Sequence, residues 1–298
     1  MDVSVIIVNY NTKVYLSNCL ESIYKNTKDV KFEIIVSDNG STDGSIEMLK
    51  KSYPQVRLIE NNENLGFGKA NNVAAKKANG KYILFLNSDT VLLNNSLKYF
   101  FEYAEKMSKP GIIGSWLIDS ENQPMPSYGK FTTFDKQLLI YLYDFFPLLL
   151  KIRLFLKPRK SNLINEKPFV VDFVTGADLF IPLDIFNEIG GFDESFFMYH
   201  EDDDLCRRAL INGYKSILIS DPKIVHFEGK SLCMSKKKIL IREQSFLTYL
   251  KKYETSVKFE FDKKVYNLFV TVRYFINYLS LKEKNELYDY TKKYLNTL

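Results

Sequence analysis

The sequence predicts an α/β protein built on a doubly wound sheet, with helices packed on the sheet faces. Two observations carry this prediction: short β-branched runs recur along residues 3–86, and segments with helical character follow them. Strands that alternate with short helices are typical of such sheets. Ligands bind these sheets in a crevice outside the carboxyl ends of the strands. The loops that follow the strands are therefore the candidate functional segments.

Predicted strands and helices alternate along the chain. Residues 3–8 are a Val/Ile run suited to a strand that is buried on both faces. Apolar residues at helical spacing predict the first helix: Leu16, Cys19, Leu20 and Ile23. The pattern then repeats as strand Phe32–Val36, helix Ser45–Lys51, strand Val56–Ile59, helix Gly68–Ala78, strand Tyr82–Leu86 and a later strand Ser216–Ser220. Loops 9–12, 37–45 and 87–90 are thereby predicted to share one edge of the sheet.

The composition is that of a folded globular enzyme. The 298 residues are 46% hydrophobic and 26% charged, which argues against a disordered, collagen-like or polytopic membrane protein. The three cysteines form no CxxC pair, so neither a disulfide framework nor a cysteine zinc site is expected. No charged, cleavable leader precedes the first strand, and a signal peptide is not expected. These features favour a cytoplasmic location.

Charge is distributed unevenly. Residues 232–298 carry 14 Lys and Arg against 7 Asp and Glu, whereas residues 1–231 carry 27 against 29. We predict a main domain at residues 1–231 and a basic helical extension at 232–298. We expect this extension, together with residues 131–168, to face a membrane surface or another subunit of a homo-oligomer. A nucleic-acid partner is not expected, because the cations are spread in helical fashion and no nucleic-acid-binding fold is recognised.

Residues 131–168 interrupt the strand and helix pattern and are predicted to form a helical insertion. The apolar run Leu138–Leu150 is too short and too interrupted to span a membrane, and the basic segment Lys157–Lys160 follows it. Two interpretations stand. The insertion packs on the main domain, or it lies in a membrane interface with its cations on anionic headgroups.

The loop at residues 37–45 combines ligand-binding and helix-capping side chains. Asp38, at a strand end, is suited to accept a hydrogen bond from a ligand N–H, and Asp43 or Ser41 is suited to cap the next helix, with Ser45 also favoured as a capping residue. Residues 64–72 lack the third glycine of a dinucleotide fingerprint. Their glycines and Lys69 either approach a phosphate or simply begin a helix.

Two further segments carry metal-binding chemistry. Asn87-Ser88-Asp89 follows a buried strand, where Asp89 could hold a hard cation such as Mg²⁺ or Mn²⁺ against a diphosphate. His226 is either a buried structural histidine or a contact to metal or phosphate.

Four consecutive carboxylates stand at residues 201–204. They form either a solvated helix start, stabilised by the helix dipole, or a crevice wall where one of them acts as a general base. In the second case Arg207 and Arg208 are expected to pair with the other carboxylates.

Taken together, seven segments in order over residues 3–231 resemble the family 2 glycosyltransferases with a GT-A fold, especially the bacterial rhamnosyltransferase-like branch. The segments are Val3–Asn11 (VSVIIVNYN), Ser37–Ser45 (SDNGSTDGS), Asn64–Asn72 (NLGFGKANN), Asn87–Asp89 (NSD), Val174–Asp178 (VTGAD), Gly190–Arg208 (GGFDESFFMYHEDDDLCRR) and His226–Ser231 (HFEGKS). The resemblance implies a Rossmann-like mixed sheet flanked by helices, with the helical insertion and the basic helical tail added to it.

The resemblance also implies an activity. It is metal-dependent transfer of a sugar, with inversion, from a pyrimidine nucleotide-diphosphate sugar such as dTDP-rhamnose or a UDP-sugar. The acceptor would be a saccharide or a lipid-linked saccharide in cell-surface polysaccharide synthesis, with Mn²⁺ or Mg²⁺ as cofactor. The enzyme would work in the cytoplasm or peripherally at the inner face of the cell membrane.

Site residues follow from the same resemblance. Asp38 would recognise the pyrimidine, and the nucleotide-binding set is Val8, Asn9, Tyr10, Asp38, Asn64, Gly66, Lys69, Asn87 and Ser88. Asp89 would be the principal metal ligand and His226 a second, with Asn87 in place of the first aspartate of the family's DxD motif. Asp202 is the expected base, Asp203 the next candidate, and Glu201 completes the catalytic set. The residues assigned to the sugar or acceptor are Gly176, Ala177, Asp178 and Arg208.

Two other functions remain as alternatives. A sugar nucleotidyltransferase should show a glycine-rich basic loop near its N-terminus, and residues 9–14 contain no glycine. A catalytically degenerate nucleotide-sugar-binding protein, with its metal site weakened by Asn87, should not hydrolyse a donor.

Overall fold

The computed structural model describes residues 1–145, 167–227 and 236–279. The chain forms two compact units. The first joins Met1–Phe131 to Asn162–Lys230, and the second joins Thr132–Ser161 to Ser231–Leu298. The sequence-based division at residue 231, with an insertion at 131–168, stays a prediction.

The first unit contains the sheets and the helices that cover them. Its strands are β1 Val3–Asn9, β2 Phe32–Asp38, β3 Arg57–Glu60, β4 Tyr82–Asn87, β5 Thr90–Leu92, β6 Ile112–Ile118, β7 Tyr128–Gly129, β8 Phe169–Val171, β9 Phe173–Val174, β10 Asp178–Pro182 and β11 Ser216–His226. Its helices are α1 Lys13–Asn26, α2 Ser45–Ser52, α3 Phe67–Ala75, α4 Ser96–Glu105, α6 Leu183–Glu188 and α7 Glu201–Ile211. The strand and helix pattern predicted for residues 3–86 is confirmed.

The described strands form a nine-stranded mixed sheet and a small two-stranded sheet. The large sheet runs β3-β2-β1-β4-β10-β6-β11-β5, with β8 also on β11. Strands β3, β2, β1 and β4 are parallel, β10 is antiparallel to β4 and β6, and β11 is parallel to β6. The carboxyl ends of β1, β2, β4, β6 and β11 therefore lie at one edge of the sheet.

Apolar side chains cover both faces of this sheet. On β1, Val5 and Ile7 belong to the core cluster that includes α1, while Ile6 belongs to the opposite cluster with Phe85 and Leu205. Successive strand residues point to opposite faces, so a continuous Val/Ile run is what a strand covered on both sides requires. This explains why β1 could be predicted from composition alone.

The second unit is helical in its described part. Its helices are α5 Phe134–Phe145, α8 Lys236–Tyr253 and α9 Ser256–Leu279. They share a core of buried side chains that includes Phe134, Phe246 and Tyr266. The apolar run 138–150 extends beyond the described residues after Phe145. Across the three described ranges, no helix has the length and apolar character that a membrane crossing requires.

Candidate active site

A buried hydrogen-bond network joins the carboxyl ends of β1 and β2. Asn9 and Asp38 are opposite each other in the parallel register and are both fully buried. The Asn9 amide Nδ2 donates to Asp38 Oδ2 at 2.7 Å and to Ser41 Oγ at 3.0 Å. The Ser41 backbone N–H donates to Asp38 Oδ1 at 2.7 Å. The Asp38 carboxylate is thus held rigidly at the strand end by groups on its own loop and on β1.

The network continues to β4 through Thr12. Thr12 Oγ1 donates to Asn9 Oδ1 at 2.6 Å and lies 2.8 Å from Ser88 Oγ. Three predicted site residues, Asn9, Asp38 and Ser88, are therefore connected across three strand ends. Val8 is half-buried beside them, whereas Tyr10 is exposed.

Asp43 supports the starts of two helices. Its Oδ1 accepts hydrogen bonds from the backbone N–H of Ser45 at 3.0 Å and from Ser45 Oγ, and its Oδ2 accepts one from the backbone N–H of Lys13 at 2.8 Å. These bonds hold the pKa of Asp43 below its usual value, although burial opposes them as the largest single influence. The N-cap position of α2 is Gly44, and Ser41 binds Asn9 and the Asn11 N–H instead of capping the helix.

The loop before α3 is held in place by hydrogen bonds from Asn39 and by close contact of its backbone with Phe197. Asn39 Nδ2 donates to Asn64 Oδ1 at 3.2 Å and to the Gly66 carbonyl at 3.0 Å. Gly66 has φ +83°, and a Cβ there would lie 2.2 Å from the Phe197 carbonyl oxygen. Glycine is thus required on two grounds, conformation and space. Lys69 is exposed in the first turn of α3.

Asn87, Asp89 and His226 meet at the carboxyl ends of β4 and β11. His226 Nε2 lies 3.3 Å from Asp89 Oδ1 and 3.3 Å from Asn87 Nδ2. His226 is buried, and Asp89 is partly exposed. Residues 228–231 of the motif that follows His226 lie outside the described residues.

One carboxylate and one imidazole at this distance fit a divalent cation whose remaining positions are filled by phosphate oxygens and water. Across residues 1–145, 167–227 and 236–279, no group of three or more His, Cys, Asp or Glu side chains gathers to hold a metal. A metal held here would therefore depend on its substrate for most of its ligands.

The backbone of Gly176 and Ala177 connects this strand end to the acidic helix α7. The Gly176 N–H donates to Asp202 Oδ2 at 3.0 Å, and the Ala177 carbonyl accepts from the Asn87 N–H at 3.0 Å. Both residues are buried. Asp202 is therefore linked to Asn87 through the backbone of two consecutive residues.

The four carboxylates of residues 201–204 have four different environments. Asp204 is fully buried and accepts a 2.7 Å hydrogen bond from Arg208 Nε, and Asp203 is buried 4.0 Å from His200 Nδ1. Asp202 is partly exposed, with its Oδ1 bonded to the Asp203 N–H at 2.9 Å. The run thus divides into two carboxylates beside a basic side chain, one held by backbone N–H groups, and the buried Glu201.

Glu201 and Asp202 both have raised pKa values. Burial is the main cause for each; the charge of Asp202 adds to it for Glu201, and the charge of Asp203 adds to it for Asp202. Glu201 is 6% exposed, and its Oε2 has no hydrogen-bond partner. A buried carboxyl without a partner favours its neutral form. Glu201 accordingly favours its neutral form, whereas the Asp202 carboxylate is held by two backbone N–H groups.

Asp178 and Arg208 are engaged inside the fold. Asp178 is fully buried, and its Oδ2 accepts hydrogen bonds from the backbone N–H and the hydroxyl of Ser115. Arg208 binds Asp204 and the Ile189 carbonyl. Their assignment to sugar or acceptor stays a prediction. Asp178 Oδ1 and Arg208 Nη2 are buried and have no hydrogen-bond partner among the described residues.

Sequence reasoning missed three residues that organise the site. Thr12 bridges Asn9 and Ser88, Asn39 binds the loop before α3, and Asn61 Nδ2 donates to Ser37 Oγ at 2.8 Å and to Asn39 Oδ1 at 3.0 Å. Thr12 and Asn39 lie inside the predicted loops 9–12 and 37–45, and Asn61 directly follows strand β3. A search for short polar side chains flanking strand ends would have found them.

Comparison with known proteins places these features in a family. The model of glycosyl transferase family 2 matches residues 4–169. An N-acetylglucosaminyl-diphospho-decaprenol L-rhamnosyltransferase of Mycobacterium tuberculosis is 26% identical over 239 residues, covering 76% of each chain. The rhamnosyltransferase WbbL of Escherichia coli is 27% identical over 237 residues, covering 76% of this chain and 83% of WbbL.

The fold has counterparts among solved structures. The mannosyltransferase PcManGT from Pyrobaculum calidifontis, in complex with GDP-Man and Mn²⁺, superposes with a TM-score of 0.56 at 18% identity, and the match covers 84% of this chain but 63% of that one. At this identity the likeness concerns the fold, and it confirms the expected GT-A architecture. With more than half of its length matched by the family model, the chain belongs to glycosyl transferase family 2.

Proposed function

We propose that this glycosyltransferase moves a sugar from a pyrimidine nucleotide-diphosphate sugar to a saccharide or lipid-linked acceptor, with inversion, in cell-surface polysaccharide synthesis. One observation carries the proposal furthest. The Gly176–Ala177 backbone joins Asp202, the base candidate, to the strand end that holds the Asp89–His226 pair. The residue that removes the acceptor proton and the pair that would neutralise the leaving diphosphate would then have fixed positions relative to each other.

The donor assignment is supported by the strand-end network. Asp38 is fixed by Asn9 and Ser41, and a fixed carboxylate is suited to a nucleobase N–H. Two relatives carry rhamnosyltransferase in their names, which favours a dTDP-rhamnose-like donor, with a UDP-sugar as the other pyrimidine donor. One relative's name also contains a diphospho-decaprenol, which favours a lipid-linked acceptor here.

Asp89 and His226 are the residues that would hold Mn²⁺ or Mg²⁺. When bound, such a cation stabilises the negative charge that develops on a leaving diphosphate. Ser88 and Asn87 lie beside the pair and would orient the phosphate end of the donor. Lys69, exposed at the start of α3, is suited to a phosphate oxygen because its ammonium and the positive end of the helix dipole both attract anions there.

Asp202 would take the proton from the acceptor hydroxyl. The freed oxygen attacks the anomeric carbon, the new C–O bond forms as the bond to the diphosphate breaks, and the proton remains on Asp202. Attack opposite the leaving group inverts the anomeric centre. The Gly176 and Asp203 N–H groups orient the Asp202 carboxylate for this step.

The reaction is proposed to take place in the cytoplasm, with peripheral contact to the inner face of the cell membrane. A lipid-linked acceptor resides in the membrane, so the enzyme must reach its surface. The sequence also allows the basic extension to bind a second copy of the chain.

A donor panel with purified protein and Mn²⁺ tests the proposal. We expect release of nucleoside diphosphate from one pyrimidine nucleotide sugar, and binding of that donor by saturation-transfer NMR. Asp202→Asn should abolish transfer and leave donor binding nearly unchanged. If the variant kept close to normal turnover, Asp202 would not be the base.

A degenerate nucleotide-sugar-binding protein is the second candidate. It is favoured by Asn87, an amide that faces His226 where the family's motif has a carboxylate. Binding of a donor with neither transfer nor hydrolysis across the panel would support this second function and contradict the first.

A further inference from the structure

The second unit presents an unusual helix face. On α9, four large apolar side chains are exposed: Val257 by 84%, Phe261 by 64%, Leu268 by 62% and Val272 by 41%. Their spacings of four, seven and four residues bring them onto one side of the helix. We call these four residues the α9 stripe. At 1.5 Å per residue, it is about 22 Å long.

The opposite side of α9 is already used for packing. Phe259 and Tyr266 are buried in the core shared with Phe246 and Leu250 of α8, and the Tyr266 hydroxyl donates to Glu243 at 2.8 Å. The α9 stripe is therefore a second apolar side of the helix, opposite the side that packs in the core. A helix that is apolar on both sides is normally covered on both.

The charged residues around the α9 stripe indicate what kind of surface binds it. Residues 236–279 contain ten Lys and Arg against four Asp and Glu, and exposed Lys264 lies on the same side as the stripe. If two stripes paired by symmetry about their centres, Lys264 would meet Lys264 of the second copy, and like charges repel. At a lipid surface, a lysine stem lies on the apolar layer while its ammonium reaches the headgroups.

We propose that the α9 stripe docks on a membrane surface containing anionic lipids, with the stripe in the interfacial layer and the basic residues on the headgroups. Interfacial binding of this kind combines buried apolar area with attraction to anionic lipid. The proposal deepens the proposed function, on which it rests for the statement that the acceptor is lipid-linked. The α9 stripe and its surrounding charge do not depend on which reaction the enzyme catalyses.

Vesicle co-sedimentation of the full chain tests this, with no donor or acceptor present. The vesicles are phosphatidylglycerol and phosphatidylcholine in equal parts, or phosphatidylcholine alone, at low salt. We expect binding to the anionic vesicles that falls when salt is raised. In F261S/L268S the partition coefficient should fall at least tenfold, since each large apolar side chain contributes on the order of a tenfold change.

Ile211→Ser is the matched control, because Ile211 is 71% exposed at the end of α7 in the first unit. It should bind vesicles like the unaltered chain, and circular dichroism melts should agree among all three proteins. Equal binding by F261S/L268S and the unaltered chain would overturn the proposal. Absence of vesicle binding, with a dimer mass that F261S/L268S converts to a monomer, would overturn it in favour of a second copy. Donor turnover is measured separately, so its failure would affect only the proposed function.

Discussion

At the scale of single residues, the acidic run at the start of α7 shows how neighbours assign different roles to identical groups. Asp204 is paired with Arg208, Asp203 lies beside His200, and Asp202 is held by two backbone N–H groups. Backbone N–H groups stabilise the ionised form, while burial and a neighbouring negative charge oppose it. For Asp202 the opposing influences prevail, and its pKa is raised.

Asp203→Asn should shift the acid limb of the pH–rate profile to lower pH. The charge of Asp203 raises the pKa of Asp202, so its removal lets Asp202 ionise at a lower pH. The measurement is kcat/KM against pH with a soluble acceptor analogue. Glu201→Gln is the control: burial without a hydrogen-bond partner for Oε2 favours the neutral form of Glu201, so a neutral glutamine there should leave the limb where it is. An unmoved limb in Asp203→Asn would contradict the assignment of the base.

Asp89→Ala should weaken donor binding only when a divalent cation is present. The substitution removes the carboxylate that lies 3.3 Å from His226 Nε2 and leaves a single nitrogen ligand, which is a poor anchor for a hard cation. Calorimetry with the donor, in Mn²⁺ and then in EDTA, measures the effect. A loss of affinity of tenfold or more is expected in Mn²⁺, with no loss in EDTA. Equal affinities of the variant and the unaltered chain in Mn²⁺ would exclude Asp89 as a ligand.

At the scale of elements, the loop before α3 is positioned by Gly66. Gly66→Ala should destabilise the fold by more than about 2 kcal/mol, because a positive φ and a collision with the Phe197 carbonyl oxygen act together. Gly190→Ala separates the two effects, since Gly190 has the same φ of +83° and no atom lies within 4 Å of the position that a Cβ would take there. It should cost only about 1 kcal/mol. Urea unfolding of both variants gives the comparison, and equal losses would refute the steric argument.

Elements with a local signal could be predicted from the sequence, and those defined by distant partners could not. Strands β1 to β4 are apolar runs between polar loops, so composition identifies them. Strand β10 inserts antiparallel between β4 and β6, and its nearest partner in sequence is more than 60 residues away. The same limit applies to the site. The strand-end motifs located Asn9, Asp38 and Asp89, whereas only the fold reveals that Asp178 is bonded to Ser115 inside the sheet.

At the scale of the whole molecule, the site occupies the edge where the direction of the strands changes. The parallel half, β3-β2-β1-β4, ends in the network of Asn9 and Asp38, and β10 starts at that edge directly after the backbone that holds Asp202. The sheet therefore serves as a rigid frame that spaces the proposed donor side from Asp202, the proposed base. Within that frame, one buried carboxyl in β10 links the stability of the entire fold to pH.

Asp178 should make the free energy of unfolding fall as pH rises. Burial raises its folded-state pKa from 3.8 to about 7, so between these values the folded state binds more protons than the unfolded state. The contribution of protonated Asp178 to the free energy of unfolding is therefore fully present below the unfolded-state pKa. It is lost as the pH rises to about 7. Asp178→Asn removes this dependence while keeping the shape of the side chain. Relative to the unaltered chain, the variant should gain about 2.5 kcal/mol between pH 5 and pH 8. Urea unfolding in EDTA measures this difference, and parallel pH dependences of the two proteins would show that Asp178 is ionised in the folded state.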